Sequence, residues 1–374
     1  VGLFLRCLRE RMTVYSRSDG VGNVAVAVPL GFLLLAAARV DRPGGVGALA
    51  AALALWPVAV GVAVLAEFGQ VYLPTRYATG ADIWCQAVGA ALGMLGWAAA
   101  GRWLTRQARA VWDRSRPEGA AGRLLVAYLF WVAAAQALPL DLTPSPADLY
   151  RKLRDRVVYV PFREFGAGDP ADAAAKFLKL AGLFLPAGLL AGCVPGRAWA
   201  KPGRVALFAV GFAAATEAGQ LAVISRVPSA TDVVAGALGV LAGWAAVRHG
   251  GESRWGLTAG WAVALAVVFW APFDFRGGAG AFGWLPGRPL ESGDPLFSLE
   301  DVCVKLALFA PLGAAFGRPW WGAAAGGLVA LAVEVGQLWL PEHVPGMTDV
   351  ILGTLGGAAG GWAASRVGRK PGLV

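Results

Sequence analysis

The segment TEAGQLAVISRVPSATD, residues 216–232, carries four polar side chains at the edge of long apolar runs. They are Glu217, Gln220, Arg226 and Asp232. Glu217 and Gln220 are three residues apart, so a helix presents both on one face. An ionisable group inside a membrane span is costly and faces other protein groups rather than lipid. The segment therefore predicts a polar contact between helices near the end of a membrane span.

Apolar runs like those beside this segment occur along the whole chain. The 374 residues are 57% hydrophobic and 15% charged, with a mean hydropathy of +0.57, whereas a soluble domain is about a quarter charged. An apolar run of about 20 residues can cross a bilayer as a helix. The sequence therefore predicts an all-α, polytopic transmembrane helical bundle of about 11 helices. The predicted spans are residues 21–38, 50–73, 83–101, 124–140, 177–194, 205–225, 233–247, 255–273, 302–316, 322–340 and 350–365.

The charges in the connectors predict the orientation of the bundle. Connector 102–123 holds six arginines against two acidic residues, connector 195–204 and the C-terminal tail are also basic, and segment 274–300 is acidic. Lysine and arginine accumulate on the cytoplasmic side of a membrane. We therefore expect a multi-pass protein of the plasma membrane with its C-terminus in the cytoplasm. The charged stretch Arg151 to Phe162 could form an amphipathic external segment, but the simpler expectation is a solvated loop.

The same composition indicates neither a nucleic-acid partner nor a metal site. The net charge of +9 comes mainly from the short connectors, and no base-stacking motif accompanies it. The four cysteines show no metal-ligand spacing, and only two histidines are present. We expect no metal and no cofactor.

The polar pattern around Glu217 occurs three times. A glutamate is followed by a glutamine at +3, a basic residue at +9 and an aspartate at +15. The three sets are Glu67, Gln70, Arg76 and Asp82; Glu217, Gln220, Arg226 and Asp232; and Glu334, Gln337, His343 and Asp349. Upstream of each set lies a Pro-x-Gly helix, and a polar residue precedes its proline: Asn23, Lys179 and Lys305.

A pattern that recurs at this scale indicates tandem structural repeats. The sequence predicts three four-helix units at residues 1–104, 105–250 and 251–374. The first unit lacks its opening helix, and the sequence VGLFLRCL at residues 1–8 is expected to be a remnant of it.

The repeated pattern resembles the VanZ-like membrane family. The hallmarks of that family are an asparagine before a Pro-Leu-Gly helix, a Glu-x-x-Gln motif, an arginine, an aspartate and a glycine-rich last helix. The resemblance covers nearly the whole chain as three copies, and it implies a bacterial cell-envelope protein linked to resistance to the glycopeptide antibiotic teicoplanin. The chain departs from the pattern in three respects: Lys179 and Lys305 replace the asparagine, the asparagine expected soon after the aspartate is absent, and His343 stands where an arginine is expected.

Two interpretations of the twelve polar residues remain open. In the first they form ligand pockets on the outer side, because the arginine fork binds phosphate or carboxylate groups bidentately. In the second they form a clasp between helices, in which the glutamate pairs with the arginine and the aspartate caps the next helix.

The residues leave three functions open. The first is a non-catalytic envelope protein that binds a lipid-linked precursor or a glycopeptide and is surrounded by membrane lipids. The second is an enzyme that acts on a lipid phosphate with a glutamate as general base, although no nucleophile recurs in the repeats. The third is a transporter, since many transporters contain internal repeats.

Overall fold

The computed structural model describes residues 4, 17–41, 46–72, 78–112, 119–141, 145–166, 168–249, 254–276, 280–287, 295–341 and 343–367. These residues are almost entirely helical, and their extended pairing is limited to two isolated bridges. The predicted all-α fold is therefore confirmed. Except for Phe4, the expected remnant at residues 1–8 lies outside the described part of the chain.

The chain forms two compact units. The first contains Val1–Ala110 and Pro139–Leu142, and the second contains Val111–Leu138 and Thr143–Val374. The first unit is built from helices α1 (Arg17–Arg39), α2 (Val46–Gln70) and α3 (Gly80–Trp112), the last of which runs two residues past its boundary. The second contains α4 (Ala120–Ala137), α5 (Pro146–Asp155), a 3-10 turn (Arg163–Gly166), α6 (Pro170–Cys193), α7 (Arg197–Ala200), α8 (Pro202–Gln220), α9 (Ala230–His249), α10 (Arg254–Trp270), α11 (Pro295–Phe316), α12 (Pro319–Gln337) and α13 (Met347–Val367).

Every one of the eleven predicted spans coincides with a helix. Within the described residues, six helices are long and apolar enough to cross a membrane: Gly20–Arg39, Val46–Gln70, Gly80–Ala110, Ala120–Ala137, Pro170–Cys193 and Ala230–His249. A further apolar helix, Trp255–Trp270, is shorter. The chain is therefore a multi-pass membrane protein.

The structure corrects the ends of three predicted spans. Helices α2, α8 and α12 stop at Gln70, Gln220 and Gln337, although the sequence stays apolar beyond each glutamine. Each glutamate therefore lies in the last helical turn instead of two turns inside the span. Hydropathy measures transfer into lipid, and it does not register the point at which the backbone turns.

The predicted solvated loop at Arg151 to Phe162 is also corrected, because its first half belongs to α5. The side chain of Ser145 accepts a hydrogen bond from the Asp148 backbone amide at 3.4 Å, and Pro146 occupies the first helical turn. A serine cap followed by proline starts a helix efficiently. This local signal outweighs the high charge of the stretch.

Glycines bring the Pro-x-Gly helix of each repeat close to the last helix of the same repeat. A Cβ atom built on Gly188 in α6 would lie 2.0 Å from the Val240 carbonyl oxygen in α9, and one built on Gly239 would lie 2.0 Å from the Ala181 carbonyl oxygen. The same crowding recurs at Gly31 and Gly313, where the distances are 1.9 and 1.7 Å. Small residues permit this backbone approach, and the three repeats share it.

In the second and third repeats the turn before the proline of the Pro-x-Gly helix accepts a hydrogen bond from the opening helix. Pro186 in α6 has no N–H to donate to the preceding turn. In that turn the Leu183 carbonyl accepts a hydrogen bond from the Tyr128 hydroxyl of α4 at 2.7 Å. In the third repeat Trp261 of α10 donates to the Leu308 carbonyl at 2.9 Å, three residues before Pro311. Both bonds fall on the carbonyl three residues before the proline, next to the carbonyl at four residues that the proline leaves without its helical donor.

The second and third predicted repeats share a single hydrophobic core. That core contains Leu183 and Phe184 of α6 together with Leu265 of α10 and Leu308 of α11, all almost fully buried. In the first compact unit a smaller cluster forms around Leu35, Met94 and Trp97. The three sequence repeats therefore do not correspond to three separate compact bodies, although the boundaries predicted from the repeat remain a prediction.

Candidate functional site

The glutamate of each repeat binds the backbone amide twelve residues further along the chain. The Oε2 atom of Glu67 accepts from the Thr79 amide at 3.3 Å, that of Glu217 from Ser229 at 3.0 Å, and that of Glu334 from Gly346 at 2.7 Å. The three glutamates are 0%, 6% and 2% exposed. A charged acceptor on a buried amide makes a strong hydrogen bond, so each glutamate is held to the residue twelve positions further along the chain.

This contact places the carboxylate at the start of the next helix. Helices α3, α9 and α13 begin one residue after the bound amide, at Gly80, Ala230 and Met347. The first amides of a helix have no partner within the helix, and the helix dipole favours a negative charge there. The glutamate therefore joins the end of one helix to the start of the next.

The residue before the helix also caps it in the first two repeats. The Thr79 hydroxyl accepts from the Asp82 amide at 3.1 Å, and the Ser229 hydroxyl accepts from the Thr231 amide at 3.1 Å. The predicted capping by the aspartate is therefore performed by threonine and serine. The aspartate lies three residues into the helix, which leaves its side chain available for other contacts.

In the first repeat the polar side chains form a continuous network. Glu67 Oε1 accepts from the side-chain amide of Gln70 at 2.9 Å and from the side-chain amide of Gln86 at 3.2 Å. The Gln86 side chain also donates to the side-chain oxygen of Asn23 at 3.1 Å, and the Asn23 side-chain amide donates to the Asp82 carboxylate at 2.8 Å. The structure thus joins α1, α2 and α3 through amide groups placed between two carboxylates.

In the second repeat a lysine replaces this amide link. Glu217 accepts from the Gln220 amide at 3.2 Å, and the carboxylate of Asp232 lies 3.8 Å from the Lys176 ammonium. The sequence pattern had placed Lys179 at this position. Lys179 is exposed, and no ion pair to it occurs among the described residues. It stands seven residues before its proline, whereas Asn23 and Lys305 stand six before theirs, and one residue turns a helix by about 100°.

In the third repeat the lysine is the one that the sequence predicted. The Lys305 ammonium lies 2.7 Å from Asp349 and 2.6 Å from Asp301. Gln337 does not bind its glutamate here, and donates instead to the Phe269 carbonyl of α10 at 3.0 Å. The three sites thus share the glutamate anchor but differ in their other contacts.

The basic residues at +9 do not pair with the glutamates where the structure describes them. Arg226 donates to the Leu138 carbonyl at 3.0 Å and forms an ion pair with Glu300 of α11. The buried Nδ1 atom of His343 has no hydrogen-bond partner in the described residues. Arg76 lies outside them. The glutamate–arginine pair expected for the clasp is therefore not formed in the second repeat.

In the second and third repeats, the connector before the Pro-x-Gly helix binds the backbone just after the repeat glutamine, Gln220 or Gln337. In the second repeat Lys152 of α5 is buried and donates to the Gln220 carbonyl at 2.7 Å and to the Val223 carbonyl. In the third repeat the Gly280 amide donates to the Leu338 carbonyl at 2.6 Å. These contacts satisfy carbonyl groups at a helix C-terminus, which otherwise have no partner.

Several of these residues could not be selected from the repeat pattern alone. The backbone amides at +12 bear no common side chain, since Thr79, Ser229 and Gly346 differ. Gln86 could have been suspected, because it lies four residues after Asp82 on the same helix face, but the other repeats have glycine there. Nothing in the sequence indicated Lys152, because its partners are main-chain atoms distant along the chain.

The described residues contain no group of three or more His, Cys, Asp or Glu side chains that could hold a metal ion. The fold and the three related sites instead define a multi-pass membrane protein built from tandem repeats.

The family of the chain follows from its similarity to known proteins. The VanZ/LLP1 family model matches residues 3–101 and 262–368, more than half of the chain, and the protein belongs to this family. The matches cover most of the first and third predicted repeats. The family model does not match the second repeat, although Glu217 there binds the amide twelve residues further on as its two counterparts do. No curated protein and no solved structure shows a significant similarity to the chain.

Proposed function

We propose that this VanZ/LLP1 protein is a non-catalytic protein of the bacterial cell envelope that binds the anionic part of a lipid-linked precursor or of a glycopeptide. Binding takes place at the aspartate ends of the repeats, on the outer side of the plasma membrane. The C-terminus then lies in the cytoplasm, which agrees with the basic connectors. Teicoplanin tolerance is the cellular effect that this proposal predicts.

The observation that carries the proposal is the Lys176–Asp232 pair. The lysine side chain is 54% exposed, the aspartate side chain is 14% exposed, and their charged atoms are 3.8 Å apart. A lysine ammonium carries several donors, and phosphate and carboxylate oxygens accept strong hydrogen bonds from such a charged group. The neighbouring Glu217 is buried, and its carboxylate accepts from Ser229 and Gln220. The glutamate thus supports the site, and the lysine is the ligand-binding group.

A drug-tolerance assay tests this division of roles. Wild type, Lys176→Gln and the triple variant Glu67→Ala, Glu217→Ala and Glu334→Ala are produced in a glycopeptide-sensitive bacterium, and their membrane levels are measured. We expect the wild type to raise tolerance of teicoplanin, and Lys176→Gln to accumulate normally but to protect less. The triple variant is expected to accumulate poorly, because three buried amides lose their acceptors.

Lys201→Gln is the matched control, because Lys201 is exposed in the connector before α8 and has no aspartate partner in the described structure. It is expected to protect as well as the wild type does. Equal protection by Lys176→Gln would contradict the proposed site. A wild-type protein that leaves teicoplanin and vancomycin tolerance unchanged would contradict the glycopeptide role itself.

A further inference from the structure

The segment from Pro146 to Arg163, called here the α5 segment, combines exposed apolar side chains with exposed arginines. Its exposed apolar residues are Tyr150, Leu153, Tyr159, Val160 and Phe162. Its exposed arginines are Arg151, Arg154, Arg156 and Arg163. Exposed apolar groups interleaved with cations are typical of a surface that contacts the interface of a membrane.

The α5 segment is held in a defined conformation. Its buried Lys152 is bound to carbonyls at the end of α8. The Val158 amide donates to the Pro228 carbonyl at 3.0 Å, and the Val158 carbonyl accepts from the Ala230 amide at 2.8 Å. The Phe162 amide donates to the Thr231 hydroxyl at 2.8 Å. Because the inward face is fixed in this way, the exposed side chains form a stable outward face.

The position of the segment in the chain places this face at the membrane surface. Helix α4 ends before it and α6 begins after it, and both are among the helices long enough to span a bilayer. A ten-residue helix with an exposed charged face is too short and too polar to span the membrane itself. It therefore lies where the two spans emerge.

The charges of this face suit anionic headgroups. The Arg151 guanidinium forms an ion pair with the Asp148 carboxylate at 2.5 Å, and the Arg154 guanidinium lies 3.7 Å from the Asp155 carboxylate. No carboxylate lies within ion-pair distance of Arg156 or Arg163 among the described residues, so the face keeps a net positive charge. Basic residues at a membrane surface attract anionic lipids, and arginine binds phosphate bidentately.

We propose that the α5 segment lies in the headgroup layer of the bilayer, with its apolar side chains at the acyl-chain boundary and its arginines bound to phosphate groups of anionic phospholipids. The segment thereby forms a lipid-binding surface beside the second repeat. This surface does not depend on the ligand proposed above, so either proposal can fail without the other.

Spin-label accessibility of the full-length protein tests the proposal. Cys7, Cys85, Cys193 and Cys303 are replaced by alanine, and one label is introduced at Val160→Cys or Leu153→Cys. The protein is reconstituted in nanodiscs of phosphatidylcholine, alone or mixed with phosphatidylglycerol. We expect both labels to collide more with apolar oxygen than with a water-soluble nickel chelate, and phosphatidylglycerol to increase this preference.

The control label is Arg197→Cys, which lies exposed in the connector between α6 and α8 and is expected to prefer the nickel chelate. Replacement of the four exposed arginines by glutamine should remove the effect of phosphatidylglycerol at Val160→Cys. Labels at Val160→Cys and Leu153→Cys that behave like the control would overturn the proposal. A response to phosphatidylglycerol that survives the glutamine replacements would overturn the assignment of the arginines.

Discussion

At the scale of single residues, each repeat contains a buried carboxylate that connects two helices. Glu217 lies in the last turn of α8 and accepts hydrogen bonds from Ser229, which precedes α9, and from Gln220. A buried amide that loses its acceptor is costly, whereas a hydrogen bond that is present contributes little net stability. The role of Glu217 is therefore best measured by deleting its acceptor atoms and by neutralising them separately.

Glu217→Ala is expected to destabilise the protein by about 1–3 kcal/mol, because the Ser229 amide then has no partner. Glu217→Gln keeps a carbonyl oxygen of the same reach, and it should cost less. Equilibrium unfolding in mixed detergent micelles measures both changes. A glutamine variant as unstable as the alanine variant would show that the charge, rather than the acceptor geometry, stabilises this site.

At the scale of secondary-structure elements, glycines set the distance between paired helices. Gly239 of α9 faces the Ala181 carbonyl of α6, where a Cβ atom would lie only 2.0 Å away. The obstructing atom belongs to a helical backbone and cannot turn aside like a flexible side chain. The separation of α6 and α9, which carry Lys176 and Asp232, thus depends on this glycine.

Gly239→Ala is expected to lower the stability of the protein by about 1–3 kcal/mol, because the added methyl group forces the two helices apart. Thermal unfolding in detergent measures the loss. Gly211→Ala in α8 is the matched control, since its Cβ would meet nothing within 4 Å. Alanine favours the helix by about 1 kcal/mol over glycine, so the control should be neutral or stabilised. Equal effects at both positions would exclude close packing as the cause.

At the scale of the whole molecule, an ion pair connects the second and third repeats within one compact unit. Arg226 follows α8, and Glu300 lies in α11, with side chains that are 25% and 20% exposed. The shared core of α6, α10 and α11 brings these elements together. The basic residue of the second repeat is therefore used for packing between repeats and not for contact with Glu217.

A double-mutant cycle of Arg226→Ala and Glu300→Ala is expected to give a coupling free energy of about 0.5–3 kcal/mol, the range for residues in direct contact. The control cycle uses Asp274 and Arg276, an ion pair of 2.5 Å with side chains that are 49% and 69% exposed. Exposed pairs contribute little to stability, so its coupling should be smaller. A coupling no larger than that of the control would mean that Arg226 and Glu300 do not tie the repeats together.

Much of the molecule was predictable from the amino-acid sequence. The apolar runs gave the all-α class and the positions of eleven helices, because the length and hydropathy of a span are local properties. The spacing of Glu217, Gln220 and Asp232, and of their two counterparts, revealed the repeat, since equal spacing on equal helices gives equal geometry.

Only the tertiary structure decided the partners of the polar groups. Glu217 binds a backbone amide, Lys152 binds the last carbonyl of α8, and Arg226 binds Leu138 and a residue of the next repeat. Main-chain donors and acceptors are the same at every position, so no residue type indicates which of them a side chain will meet. The partner of Asp232 also came only from the structure, because it is Lys176, ten residues before Pro186, a position that the repeated pattern does not mark.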